Sequence, residues 1–159
     1  MSKDKLLIII CLLALMVALM GIGEAGAITP GTRIRLEPST LVVDLNETFV
    51  VQVVIEQAAD LGAFEFDLAY DPSILQVREV ALGAFLESTG NSAIAVGPEI
   101  NNAEGRTTFG AITFGNATGP SGAGVLVTIA CIAQKEGSTA LRLQEVQLLD
   151  TAAGVQGVT

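Results

Sequence analysis

The chain has 159 residues, and its eight basic and seventeen acidic side chains give a net charge of −9 at pH 7. So acidic a protein is unsuited to binding nucleic acid or an anionic membrane surface. Because the sequence contains no histidine, Ser–His and Cys–His catalytic pairs cannot form, and a zinc site would lack its usual nitrogen ligand. The acidic residues follow no recognisable glycosidase pattern. We therefore predict a non-enzymatic protein without a metal site or a cofactor.

The first 27 residues have the layout of a secretory signal peptide. Two lysines give a basic start, residues 6–20 carry no charged side chain, and small residues follow. We predict a helical leader over residues 1–27 that is cleaved after Ala27, since Ala25 and Ala27 are a small pair of the kind signal peptidase accepts. Cleavage would yield a secreted protein, extracellular or at the cell surface, without a membrane segment. The alternative is an uncleaved anchor, because the charge-free run approaches the roughly 18 residues of a spanning helix.

Short stretches rich in β-branched and aromatic residues follow the leader and predict strands. In residues 63–70 the side chains alternate between two faces of a strand. Four should face a core: Phe64, Phe66, Leu68 and Tyr70. The other four should face solvent: Ala63, Glu65, Asp67 and Ala69. Further strands are predicted over residues 32–36, 49–55, 75–82, 92–96, 107–114, 125–133 and 140–149. Many short strands separated by turn-forming residues indicate an all-β sandwich.

These strands fit one domain, which we place at residues 28–151. The small, weakly apolar residues 152–159 form either a last short strand or the start of a linker. Cys131 is the only cysteine after the leader, so the domain has no internal disulfide. It falls in phase with Val127 and Ile129, which predicts a buried and unreactive thiol.

One stretch resembles a known family. Residues 62–77, which read GAFEFDLAYDPSILQV, resemble the third-strand signature of cohesin domains. Residues 124–129 and 146–150 resemble later parts of the same domains, and with residues 33–56 the resemblance covers nearly all of the chain after the leader. It implies a nine-stranded flattened jelly-roll β-sandwich that binds dockerin modules. Such a module would act in extracellular polysaccharide degradation without catalysing it.

Within this stretch, Tyr70, Asp71 and Pro72 form the most recognisable motif, and we interpret it as structural. Pro72 ends the strand because proline fixes φ and has no amide N–H. Asp71 can accept hydrogen bonds from the backbone amides that follow it. Ile74 and Leu75 should then return to the core.

The resemblance also implies a partner-binding surface. In cohesins the outward face of the third strand belongs to the sheet that receives the dockerin, and the position matching Glu65 is acidic in some of them. We therefore predict a partner site at Ala63, Glu65 and Asp67. A solvated strand face with no partner would show the same polar pattern.

Two other functions remain open on the sequence alone, a carbohydrate-binding module and a structural domain of a cell surface or matrix. Carbohydrate modules usually stack sugars on exposed aromatic rings. This chain has no tryptophan, and its single tyrosine is predicted to lie in the core. A polysaccharide ligand would therefore have to be held by hydrogen bonds, and a structural domain would use the fold without a dockerin.

Overall fold

A computed structural model describes residues 31–158 of the chain. The predicted leader and its cleavage site at Ala27 lie outside the described residues. Within residues 31–158, no helix is long and apolar enough to cross a membrane.

Eight strands and one short 3-10 turn form the regular structure of residues 31–158. The strands are β1 (Arg33–Glu37), β2 (Thr48–Ala58), β3 (Leu61–Ala69), β4 (Leu75–Leu82), β5 (Ser92–Asn101), β6 (Arg106–Phe114), β7 (Gly122–Ala133) and β8 (Arg142–Asp150). The 3-10 turn at Phe85–Glu87 follows β4. All eight predicted strands are confirmed. The largest difference is in β5, which continues beyond Val96 because pairing with β6 resumes at Glu99 after a bulge.

The strands form two four-stranded antiparallel sheets. One has the order β1-β2-β7-β4 and the other the order β5-β6-β3-β8. Only β1-β2 and β5-β6 are neighbours that also follow each other in the chain, so the backbone crosses repeatedly between the sheets, as in a jelly roll. The all-β sandwich predicted from the sequence is therefore confirmed.

The end of the described chain forms single bridges and no ninth named strand. Val155 bridges Leu149 of β8, and Val158 bridges Thr32 beside the start of β1, in parallel. A tight turn separates these bridges from β8. The turn forms because the Asp150 carboxylate accepts hydrogen bonds from the amides of Ala152 and Gly154, at 2.9 and 2.7 Å.

The core lies between the two sheets and is built from strand residues that alternate inward. The six residues that we expected to be shielded are all less than one-tenth exposed: Phe64, Phe66, Leu68, Tyr70, Ile129 and Cys131. The rings of Phe64, Phe66 and Phe109 pack together, with centroids 6.2 to 6.5 Å apart. Each large apolar side chain buried in this way stabilises the fold by about 1.5–3 kcal/mol.

Tyr70 follows β3 and enters a hydrogen-bond network that joins the two sheets. Its hydroxyl donates to Asn102 Oδ1 at 2.8 Å. Asn102 Oδ1 also accepts a hydrogen bond from the amide of Val77, and Asn102 Nδ2 donates one to the Val77 carbonyl, both at 2.9 Å. Val77 belongs to β4 of the opposite sheet. Asn102 therefore takes the place of a strand partner at the bulge that follows Val77.

Asp71 organises the turn between β3 and β4. Its carboxylate accepts hydrogen bonds from the hydroxyl and the amide of Ser73, at 2.7 and 2.8 Å. These bonds hold the pKa of Asp71 below its ordinary value. The Asp71 carbonyl accepts from the amides of Ile74 and Leu75, and Leu75 is buried where β4 begins. These contacts give Asp71 a structural role in the turn, as we predicted from the sequence for the Tyr70-Asp71-Pro72 motif; that the motif has no direct binding role stays a prediction.

Candidate partner-binding face

The solvent side of the sheet β5-β6-β3-β8, which we call the outer face, contains all three predicted site residues. Side chains of directly paired residues in antiparallel strands point to the same side of a sheet. The pairing therefore defines four rows that each cross the whole face. From one end to the other the rows are Ile94–Ile112–Ala63–Leu149, Val96–Gly110–Glu65–Gln147, Glu99–Thr108–Asp67–Gln144 and Asn101–Arg106–Ala69–Arg142.

One end of the outer face carries four large exposed hydrophobic side chains, which we call the apolar patch. They are Ile94, Val96, Ile112 and Phe114, with exposed fractions of 54, 53, 42 and 43%. Single exposed hydrophobic residues are common on protein surfaces. These four are neighbours on two adjacent strands, and the first row continues the patch towards β3 and β8. Contiguous exposed apolar surfaces are typical of interaction sites.

The opposite sheet provides a contrast. Among the large exposed hydrophobic side chains in the described strands, only Val50 of β2 lies on the solvent side of β1-β2-β7-β4, with 47% exposure. Nearby, Arg35 forms ion pairs with Glu37 and Glu56 across the same surface. The two sheets thus differ in character, and only the β5-β6-β3-β8 sheet combines an apolar patch with a polar region.

Glu65 lies beside the apolar patch and is exposed. Within the described residues, its carboxylate has no hydrogen-bond or ion-pair partner. Its neighbour on β6 is Gly110, which has no side chain, and the Cβ and Cγ of Glu65 lie 3.5 Å from the position that a Cβ on Gly110 would occupy. Glu65 is therefore available to a group from outside the domain.

Asp67 differs from our expectation, because its side chain is not solvated. The residue is only 4% exposed. Its carboxylate accepts a hydrogen bond from the Thr108 hydroxyl at 2.6 Å and forms an ion pair with Arg106. The prediction was wrong because strand periodicity identifies the side of the sheet but not the neighbouring side chains that cover it. A molecule on this face would meet Arg106, whose side chain is 57% exposed, before it met Asp67.

Arg106 is held in place by the carboxylates around it. The hydrogen bond to Asp67 is the main cause of a raised pKa for Arg106, and the negative charges of Glu99 and Glu104 contribute further. The guanidinium therefore stays charged, and Asp67 balances its charge. At this end of the face Asp67 and Arg106 neutralise each other, whereas Glu99 and Arg142 are exposed and form no ion pair within residues 31–158.

The outer face thus brings Ala63, Glu65 and Asp67 together but gives each a different environment. Ala63 is half-buried between Ile112 and Leu149, Glu65 is exposed, and Asp67 is covered.

Sequence reasoning missed the apolar patch. The alternation of Ile94 with Val96 and of Ile112 with Phe114 was visible, but both faces of β5 and β6 carry apolar side chains. Periodicity could not tell which set faces the core.

Other features of residues 31–158 offer little for chemistry. A cleft of about 970 Å³ lies between the segment that follows β1 and the segment that precedes β8, and its walls are largely apolar, including Leu36, Leu45, Phe49 and Leu141. In the described residues no three His, Cys, Asp or Glu side chains converge as a metal site. Burial raises the pKa of the Cys131 thiol to about 11, so that it stays protonated at neutral pH.

Comparison with known proteins identifies the family. The cohesin domain family model matches residues 38–158, whereas no curated protein sequence matches the chain. A non-cellulosomal cohesin from the hyperthermophilic archaeon Archaeoglobus fulgidus is 23% identical with a TM-score of 0.63, and the match covers 81% of this chain and 85% of that one. A type II cohesin domain from the cellulosome of Acetivibrio cellulolyticus is 13% identical with a TM-score of 0.61, covering 81 and 91%.

A third structure, an interface mutant of a type II cohesin–X–dockerin complex from Acetivibrio cellulolyticus, is 13% identical with a TM-score of 0.60. That match covers 81% of this chain and 93% of that chain. At these identities the structural likeness shows the fold. The family model adds a sequence match over more than half of the chain, and this chain therefore belongs to the cohesin domain family.

Proposed function

We propose that this chain is an exported, non-catalytic module that binds a dockerin through the outer face of the β5-β6-β3-β8 sheet. The observation that carries the proposal is the apolar patch, which lies next to the exposed carboxylate of Glu65 on that face. A surface that joins exposed hydrophobic groups to an unpaired charge suits recognition of another protein. Membership in the cohesin family and the solved complex of a related cohesin with a dockerin support this partner class.

The face is also well prepared for binding. All four strands that form it are paired, and the hydrogen bonds between Asp67, Thr108 and Arg106 fix the side chains at its polar end. A partner therefore has little of this surface to order, which lowers the entropic cost of association. We expect binding with little change in the backbone and without a metal ion on this chain.

Export is part of the proposal because the predicted leader precedes the domain. Cleavage after Ala27 would place the domain outside the cell, at residues 28–151 with a short segment after it. There it would dock a dockerin-bearing protein, and a role in extracellular polysaccharide degradation would follow from that partner. Direct binding of polysaccharide has less support. On the outer face of residues 31–158, Phe114 is the only aromatic side chain that is substantially exposed. A platform on which sugars stack usually needs more than one exposed aromatic ring.

The test compares two charge reversals on opposite sheets. Glu65→Lys changes the outer face, and Glu79→Lys makes the same change on the solvent side of β4, in the other sheet. Both residues are exposed strand positions, so neither change should unfold the domain. Each protein, starting at residue 28, is titrated calorimetrically with dockerin modules encoded in the same genome and with soluble glucans.

We expect the unaltered domain and Glu79→Lys to bind a dockerin equally well. Glu65→Lys should bind at least about five-fold more weakly, because reversing a charge in an interface opposes the partner's own charge. Equal weakening by both variants would contradict the assignment of the face. Glucan binding without a dockerin response would indicate a carbohydrate module. No binding to either would indicate a structural domain.

A further inference from the structure

We infer that the partner covers the apolar patch with aliphatic side chains and places a basic side chain over Glu65, and that the patch supplies most of the affinity. This inference rests on the proposed function and specifies the chemistry of the partner. It follows from the way in which apolar and charged groups are distributed along the outer face.

The face changes character steadily from one end to the other. The row at Ile94 and Ile112 contains only apolar residues, and Val96 extends it into the next row. The last two rows contain most of the polar and charged side chains, including Asp67 and Arg106. Removing the apolar end from water is favourable by about 25 cal/mol for each Å² buried. Covering the charged end brings a desolvation cost that new contacts must first overcome.

The ion pair of Asp67 and Arg106 at the charged end has little left to offer a partner. One Asp67 oxygen accepts from Thr108 and the other is paired with Arg106. A partner that bound Asp67 directly would have to break one of these interactions. Arg106 retains exposed N–H groups, but Asp67, Glu99 and Glu104 already surround it with negative charge. The other charged residues at this end, Glu99 and Arg142, are exposed and form no ion pair within residues 31–158. Exposed charges of this kind orient a partner more than they add affinity.

Glu65 is placed differently, since it lies in the row next to Ile112 and has no partner within residues 31–158. An aliphatic group bound over Ile112 would carry its neighbouring residues close to this carboxylate. A lysine or arginine there would find an opposite charge that no other group in residues 31–158 neutralises. The net charge of −9 also favours a partner with a basic surface. The partner surface that complements the outer face therefore carries a stripe of aliphatic side chains with a basic residue beside it.

The experiment measures affinity for a dockerin module from the same genome with four proteins. They are the unaltered domain, Ile112→Ala, Glu65→Gln and the control Val50→Ala. Val50 matches Ile112 in exposure and strand location but lies on the opposite sheet. Thermal melting of each protein first verifies that the fold is intact. Affinities are then measured at low and high NaCl concentration, since salt screens exposed charge pairs and leaves apolar contacts in place.

We expect Ile112→Ala to weaken binding by more than about ten-fold at both salt concentrations, as truncation of a central interface anchor does. Glu65→Gln should weaken it by about two- to five-fold at low salt, and the difference should disappear at high salt. Val50→Ala should have no effect. If a dockerin binds but Ile112→Ala and Val50→Ala are equivalent, or Glu65→Gln is the more damaging change, this inference fails and the proposed function stands. If no dockerin binds the unaltered domain, both fail.

Discussion

Replacing Asn102 by alanine tests whether one side chain ties the two sheets together. The substitution removes the hydrogen bond from the Tyr70 hydroxyl and both hydrogen bonds to the backbone of Val77. Val77 is fully buried in β4, where it is paired with Cys131 of β7 just before a bulge. Its amide and carbonyl would therefore lose their partners in an apolar environment, where an unpaired polar group is costly.

The expected loss follows from the number of bonds. A hydrogen bond within a protein contributes about 0.5–1.5 kcal/mol net. With three bonds lost, two of them to a buried backbone, we expect Asn102→Ala to lower the free energy of unfolding by about 3 kcal/mol. Tyr70→Phe should cost about 1–2 kcal/mol, because it removes the hydroxyl's bond to Asn102 and its 3.3 Å contact with the Thr107 hydroxyl but leaves both bonds from Asn102 to Val77. The double variant should cost less than the sum of the two, since both single changes remove the same Tyr70–Asn102 bond.

Urea unfolding of the domain from residue 28, followed by far-UV circular dichroism, measures these differences. Glu65→Ala is the control for an exposed strand residue and should lie within about 0.5 kcal/mol of the unaltered domain. A loss below about 1 kcal/mol for Asn102→Ala, which is the size of a single hydrogen bond, would refute the network as a link between the sheets. Full additivity of the two single changes would show that Tyr70 and Asn102 act independently.

Three other predictions concern the thiol, a turn and the leader. Because the folded pKa of Cys131 is about 11 against an ordinary value of 9.0, the folded chain keeps a proton that the unfolded chain loses. The free energy of unfolding should therefore fall as the pH rises between these values, and less steeply in Cys131→Ala; equal slopes would contradict the burial of the thiol. Gly105→Ala should lower the melting temperature far more than Gly90→Ala, because both have positive φ but only at Gly105 would a Cβ lie 2.1 Å from the Tyr70 carbonyl oxygen. N-terminal sequencing of exported protein should begin at Ile28, and a start at Met1 would rule out cleavage.

Much of the fold could be predicted from sequence because strand periodicity is a local property. Residues 63–70 show it clearly, and the structure buries the expected side chains of that strand. The limits of the strands were harder to predict. The prediction ended β5 at Val96, yet pairing resumes at Glu99 because a bulge accommodates the two residues between them without breaking the sheet.

The candidate site was harder to predict than the fold, because it depends on contacts between strands. Asp67 is covered by Thr108 and Arg106, which are about forty residues away in the chain. The apolar patch depends on the pairing of β5 with β6 and on which side of that pair faces solvent. Neither fact can be read from the alternation of a single strand. Glu65 was placed correctly on an exposed face because its neighbours happen to leave it uncovered.

The central claim is that a dockerin binds the outer face of the β5-β6-β3-β8 sheet. Isoleucine-methyl NMR tests it directly, because isoleucines lie on both solvent faces: Ile94 and Ile112 on the outer face, and Ile132 on the opposite sheet. On titration with a dockerin module from the same genome, we expect the methyl signals of Ile94 and Ile112 to shift or broaden while that of Ile132 stays unchanged. Binding that perturbs Ile132 and leaves Ile94 and Ile112 unaltered would contradict the account.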